Sequence, residues 1–306
     1  MRLNITHQGL ATGLLAYTIW GFFPLFFHLL RSVPAIDVLM HRIIWSFVFV
    51  FIIILALKRK HLFFQAIKSP HLLKNLLLSA LLISSNWLIF IWAVAEHRVV
   101  ETSLGYFITP LVSVFLARTF LGETLNQWQK LAIILASLGL GWLILRIGYL
   151  PWVSLSLAIT FGWYGLVRKQ VAVDTLTGLA VETTLLLPVA ICYWLFMWFA
   201  GEAAYLFPEN NQIMMLLVLS GIVTAMPLLL FASAAKKLSL SAIGFMMYIN
   251  PTMQFLTALY ILDEPFDINQ LIGFSFIWCA LIVFSIGSLQ ASRKKSRESS
   301  INNPMI

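Results

Sequence analysis

The chain has little charge. Of its 306 residues only 10% are Asp, Glu, Lys or Arg, where a soluble domain carries about a quarter. Acidic residues are the scarcer kind, 12 against 20 Lys and Arg. Cysteine is nearly missing. Cys192 and Cys279 each lie inside an apolar run, give no disulfide framework and are expected to pack. Catalytic signatures are missing too: there is no His-Glu-x-x-His zinc helix, no Gly-Lys-Ser/Thr phosphate loop and no Gly-x-Ser-x-Gly nucleophile turn. No cofactor or metal site is expected. The net charge of +8 would suit nucleic acid, but the basic residues are scattered between apolar runs. They read as loop charges of a membrane protein, so no nucleic-acid partner is expected.

Apolar residues are abundant. They make up 60% of the chain, and the mean hydropathy is +0.91. Ten apolar runs predict membrane spans over 10–30, 36–57, 73–95, 101–121, 128–147, 150–167, 176–200, 212–235, 240–262 and 268–290. Each is near the roughly 20 residues that cross about 30 Å of hydrocarbon. Helix is the expected form, because an isolated strand would leave its amides unpaired in lipid. The first run, about 20 residues long with no small-x-small site after it, reads as a span rather than a cleaved leader. The longest connection, Lys58 to Leu72, reads as a basic loop, and 291–306 as a basic tail without structure.

The chain repeats itself. Glu101–Glu123 (ETSLGYFITPLVSVFLARTFLGE) is echoed by Ala242–Glu264 (AIGFMMYINPTMQFLTALYILDE), with Pro110 and Pro251 each thirteen residues before the closing Glu. The offset of 141 also aligns Phe90 with Phe231, Ala93 with Ala234 and Gln129 with Gln270. Residues 9–147 and 150–290 would then each hold five spans, and an odd number turns the second copy upside down. The expected fold is an all-α integral membrane protein of ten transmembrane helices, arranged as two inverted five-helix repeats, a construction common among secondary transporters. With ten spans, 16 basic residues fall on the side of both termini and three, Arg31, Arg98 and Arg146, on the other. Both termini are therefore expected in the cytoplasm. The opposite side collects Glu202, Glu209, Asp263, Glu264 and Asp267.

The runs AYTIWGFFPLFF, HRIIWSF, NWLIFIWAV, ETSLGYFITPLV, FGWYGLVRK, LLPVA and YINPTMQFL resemble the RarD family, in the EamA branch of the drug/metabolite transporter superfamily. The resemblance covers roughly residues 9 to 290. It implies a ten-helix inner-membrane transporter for small organic compounds, from a family that carries a chloramphenicol-sensitivity label. The reading is then a secondary transporter, an exporter of small organic or amphiphilic metabolites or drugs, working by alternating access. An intramembrane enzyme acting on lipid or isoprenoid substrates, and a membrane sensor, are the alternatives. A homodimer stays open as an assembly.

Within the spans, Arg42 stands out. An arginine at a helix centre costs about 2.5–3.5 kcal/mol on insertion scales, and Arg42 lies about 9 Å from the outer end of its span. An intramembrane charge is by default a functional residue facing a polar cavity. At 1.5 Å per residue His41, Arg42, Asn86, Trp87, Tyr106 and Gln254 share one level. A guanidinium, amides and aromatic rings at one depth suit a solute with a polar group on an aromatic or apolar body. Any one Trp or Tyr there suits packing or an interface belt better than a ligand; the shared level singles the set out. Glu101 is the expected partner of Arg42. A second layer, Glu182 with Tyr17, Tyr164 and Tyr248, falls nearer the cytoplasm. Glu182 is a candidate for proton coupling, and Glu182→Gln is expected to leave folding intact. Ser154, Ala158 and Gly162 form a small-residue face for close helix packing. The intraspan prolines 24, 110, 188, 227 and 251 permit kinks.

Overall fold

A computed structural model describes residues 2–96, 98–147, 152–202, 204–261 and 268–301. Glu264, the expected repeat mate of Glu123, and its neighbours Asp263 and Asp267 lie outside the described residues. Every regular element among the described residues is helical: α1 (Arg2–Gly21), α2 (Phe23–His28), α3 (Ala35–Ala56), α4 (Lys60–Lys68), α5 (Pro70–Ala95), α6 (Val99–Leu121), α7 (Gln127–Ile147), α8 (Trp152–Gln170), α9 (Thr175–Phe199), α10 (Asn211–Lys237), α11 (Leu240–Met246), α12 (Ile249–Tyr260) and α13 (Ile268–Ile301). Seven helical stretches among them are long and apolar enough to cross a membrane: His7–His28, Ala35–Ala56, Pro70–Ala95, Leu104–Leu121, Gln127–Arg146, Thr175–Phe199 and Asn211–Lys237. The other expected spans correspond to α8, to α11 with α12, and to α13, whose apolar part is Leu271–Phe284. α8 is diluted by Ser, Gly, Trp and Tyr and ends in Arg168 and Lys169.

The helix ends follow local chemistry. Asn126 and Gln129 cap α7 reciprocally: Asn126 Oδ1 accepts from the Gln129 amide at 2.8 Å, and Gln129 Oε1 from the Asn126 amide at 3.0 Å. Asp174 caps α9 and Asn210 caps α10. α6 stops at Gly122, whose φ of 63° is left-handed. α4 departs from the expected loop. Nine residues are too few to span a membrane, but Phe63 and Ala66 are buried and dock this short helix on α9. The expected unstructured tail is helical as far as Ile301, consistent with the good helix propensity of its Arg, Lys and Glu.

The main core lies among α1, α3, α5, α8, α9 and α10. α8 packs closely on α6 through its small-residue face. Ser154 and Ala158 are fully buried, and Ser154 Oγ donates to the Glu101 carbonyl at 2.5 Å. α7 and α13 lie against each other beside this core, tied by Trp142 Nε1 donating to the Asn269 carbonyl at 3.2 Å. Large apolar side chains cover the outside, Phe199 being 85% exposed and Leu145 80%. A surface of that kind suits lipid. Cys192 and Cys279 are exposed rather than packed in the core, correcting the expectation for them.

Two helical paths are broken. α1 gives way to α2 at Phe22, with Pro24 in the first turn of α2. α11 gives way to α12 at Met247 and Tyr248, with Pro251 in the first turn of α12. A proline there removes no intrahelical bond. Pro110, Pro188 and Pro227 lie inside helices that continue through them. The two breaks touch. A Cβ on Gly21 would collide with the Met253 side chain, so only glycine lets these chains approach this closely.

Candidate functional site

The breaks flank a cavity of about 30 Å³, lined by Trp20, Phe23, Phe90, Phe161, Met247 and Asn250 together with Arg42, Asn86, Trp87 and Tyr106. Non-helical backbone at membrane depth is tolerated where it lines a cavity or is buried in protein. Four of the six residues expected at the outer level are therefore brought together. As it stands the cavity admits a water or two, far below the roughly 300 Å³ of a ligand pocket.

Arg42 is 1% exposed. α3 carries it inward between two aromatic faces, with its guanidinium carbon 4.8 Å from the ring centroids of both Phe27 and Trp87. Such contacts help hold a desolvated cation. Its Nε donates to Thr224 Oγ1 on α10 at 2.8 Å. Its Nη1 is buried with no acceptor among the described residues. The expected Arg42–Glu101 pair is not present. Glu101 lies in the first turn of α6 and pairs instead with Arg98, one turn back, at 3.1 Å. Among the described residues no carboxylate is within ion-pairing distance of Arg42.

Asn86 lines the cavity while its Nδ2 donates to the Leu157 carbonyl at 3.0 Å and to Thr160 Oγ1 at 2.9 Å, tying α5 to α8. Trp87 lies against Arg42, and the Tyr106 and Phe90 rings are 5.8 Å apart. His41 and Gln254 do not reach the cavity wall. His41, one residue from Arg42, is turned away by the helical twist. Its Nδ1 accepts from Trp45 Nε1 at 3.2 Å and its Nε2 donates to the Tyr205 carbonyl at 2.8 Å, so it is a neutral fastener for the loop after α9. Gln254 acts through Asn250, donating to its Oδ1 at 2.9 Å.

The inner layer separates into two groups. Tyr17 donates from its hydroxyl to the Ile243 carbonyl at 3.1 Å and packs against Trp20 and Phe231. Tyr164 stacks on Phe231 at 5.9 Å. With Phe161 these rings form an aromatic plug adjoining the cavity. Tyr248 lies elsewhere, 6.2 Å from Phe107. Glu182 accepts a hydrogen bond from Ser79 and faces Arg168 Nη1 at 3.4 Å, both charged residues being 1% exposed. Arg168 folds back from the end of α8 onto Gly178, where any Cβ would occupy the guanidinium's place. Its Nη2 donates to the Thr175 carbonyl at 3.2 Å. A buried arginine left without its acid is strongly destabilising. With Arg168 this close, Glu182→Gln is expected to cost stability rather than leave folding intact.

Spacing alone does not reach Arg168, which in sequence is one of the basic residues at a helix end. Nor does it reach Thr224, Phe27 or Trp20, which look like any polar or aromatic residue of an apolar run. Pro24 and Pro251 were the usable signals, since each marks a break beside the cavity.

Comparison with known proteins agrees with the expected family. The profile of the EamA-like transporter family matches residues 7–145. The chain is 42% identical to "Protein RarD" of Escherichia coli (strain K12), over 95% of this chain and 98% of that one. It is 40% identical to "Uncharacterized transporter YojE" of Bacillus subtilis, over 94% and 97% of the two chains. It is 30% identical to the "Chloramphenicol-sensitive protein RarD" of Pseudomonas aeruginosa, over 96% and 99%. A crystal structure only 15% identical superposes with a TM-score of 0.68, covering 90% of this chain and 96% of the other, which shows a shared fold. A multi-pass membrane protein, helical in its described residues, that matches these transporters along nearly its whole length belongs to the RarD family of EamA-like transporters.

Proposed function

We propose that the chain is a secondary transporter, an exporter of small organic or amphiphilic solutes across the bacterial inner membrane, working by alternating access of two inverted five-helix halves, 9–147 and 150–290. The observation that carries this reading is the cavity lined by both broken helices. Transporters place their solute site where discontinuous helices meet near the midplane. Positions separated by 141 also meet here. Trp20 and Phe161 pack edge to face at 5.5 Å, and Tyr106 and Met247 line the same cavity. The helix pairings exchange in step as well. α5 on α8 is mirrored by α10 on α1, α3 on α10 by α9 on α5, and α6 on α8 by α12 on α1. A cavity that now admits only water has to widen before a solute enters, which is what alternating access requires. Arg42, Asn86, Trp87 and Tyr106 would contact the solute directly, with His41 and Gln254 supporting them. Glu182, beside the plug of Tyr17 and Tyr164, would couple transport to protons through its pairing with Arg168; Tyr248 would act from the α11–α12 break.

Two measurements test this. A reporter fused after Ile306 is expected to read cytoplasmic and one inserted near Glu209 external, from the asymmetry of basic residues. An external C-terminus would contradict the ten-span arrangement. A thermal-shift screen of the purified chain against aromatic metabolites, amino acids and amphiphilic antibiotics is expected to yield a ligand that raises Tm, since binding to the folded state alone stabilises it. Efflux of that ligand from proteoliposomes completes the test; a ligand that binds and is never moved would favour a sensor.

A further inference from the structure

The cavity carries one formal charge. Of its ten lining residues only Arg42 is ionic, and none is Asp or Glu. The cation is buried, its Nε is taken by Thr224, and its Nη1 has no acceptor among the described residues. A polar group this well buried is normally hydrogen-bonded, so one without a partner calls for an explanation. Charged groups inside membrane proteins usually pair with one another. The second buried arginine, Arg168, does so, with Glu182. Arg42 has aromatic rings where a carboxylate would be expected. A guanidinium presents its donors as a flat fork that fits a carboxylate with two parallel hydrogen bonds. The rest of the wall is mostly rings: Trp20, Phe23, Trp87, Phe90 and Phe161.

Resting on the transport reading above, we infer that the solute supplies Arg42's missing counter-charge: it is an organic monocarboxylate on a flat apolar body. One cation balances one negative charge. A doubly charged phosphate would bring an excess charge into a wall with no second cation. An ammonium would meet Arg42 with no acid to offset it, so amines and zwitterionic amino acids are rejected. The aromatic wall accounts for the flat body.

The test uses the full chain in detergent and isosteric probes: phenylacetate, phenylacetamide, phenethylamine and phenylalanine, with indole-3-acetate and hexanoate as further acids. The carboxylates are expected to raise Tm while the amide, amine and amino acid do not. In Arg42→Gln the affinity for phenylacetate is expected to fall about 10- to 150-fold, the range for losing a charge-assisted hydrogen bond. Arg42→Lys should recover part of it, because the charge stays and the fork is lost. The inference is overturned if phenylacetamide stabilises wild type as well as phenylacetate does, if no acid of the panel raises Tm, or if the phenylacetate shift survives Arg42→Gln. The wild-type series decides even where a variant does not fold. Proteoliposomes separate the two readings. Movement of phenethylamine but not of the acids would leave transport standing and remove the carboxylate; movement of no solute that binds would remove transport itself.

Discussion

Glu182→Leu is expected to lower the stability of the fold by about 3–5 kcal/mol, the range for removing one partner of a buried ion pair. The loss comes from Arg168. It is 1% exposed, held against Gly178 and 3.4 Å from the Glu182 carboxylate. Without the acid its charge stays buried, offset among the described residues by the Thr175 carbonyl. Glu182→Leu combined with Arg168→Met should recover most of the loss, since a pair replaced by apolar side chains is often neutral or stabilising. Thermal unfolding in detergent of wild type, both single variants and the double variant checks this. A loss in the double variant equal to the sum of the two single losses would show that the two charges do not depend on each other. The same cycle serves the coupling hypothesis. Glu182→Gln should be compared with Glu182→Gln/Arg168→Gln, so that lost dependence on a pH gradient is not confused with a lost fold. If both variants transport and still respond fully to the gradient, Glu182 is not the coupling site.

Arg42→Met is expected to leave stability nearly unchanged while removing function. Met can fill the slot between Phe27 and Trp87 without a charge. What is lost is one hydrogen bond to Thr224, worth roughly 1.5–3 kcal/mol when charged, and two cation–π contacts, to Phe27 and Trp87, worth about 2 kcal/mol each when desolvated. What is relieved is the desolvation of a cation that has no acid, several kcal/mol per ion. These terms are of similar size, so the stability of the fold should change by no more than about 2 kcal/mol in either direction. Solute binding should nonetheless fall by one to two orders of magnitude, about 1.4 kcal/mol for each factor of ten. A large loss of stability in Arg42→Met, with binding unchanged, would make Arg42 a structural residue.

The contrast between these two arginines also marks what could be read from the residues. Apolar runs near 20 residues long located the helices, because lipid forces the backbone to satisfy itself locally. Depth counting along those helices placed Arg42, Asn86, Trp87 and Tyr106 at one level, and they do share a cavity. Depth says nothing about rotation, and so His41, one residue from Arg42, faces Trp194 and Tyr205 instead. Partner choice was least accessible. Glu101 has the right depth for Arg42, yet Arg98 lies a single turn away on the same chain and takes it. Arg168 reaches Glu182 only because the glycine at 178 leaves a groove for its side chain, a tertiary fact without a local signature.

The most direct test of transport through this cavity is thiol labelling at its wall. Met247→Cys is suitable, because Met247 is buried, lines the cavity at the α11–α12 break and differs modestly in size from cysteine. The background should carry Cys192→Ala and Cys279→Ala, since both native thiols are exposed. A membrane-impermeant reagent is expected to modify Met247→Cys when added from outside and also when added from the cytoplasmic side of inverted vesicles, with phenylacetate slowing both reactions. A thiol at 247 that is inert from both faces, or reactive from one face only whatever the solute and pH gradient, would contradict a cavity that opens to each side in turn.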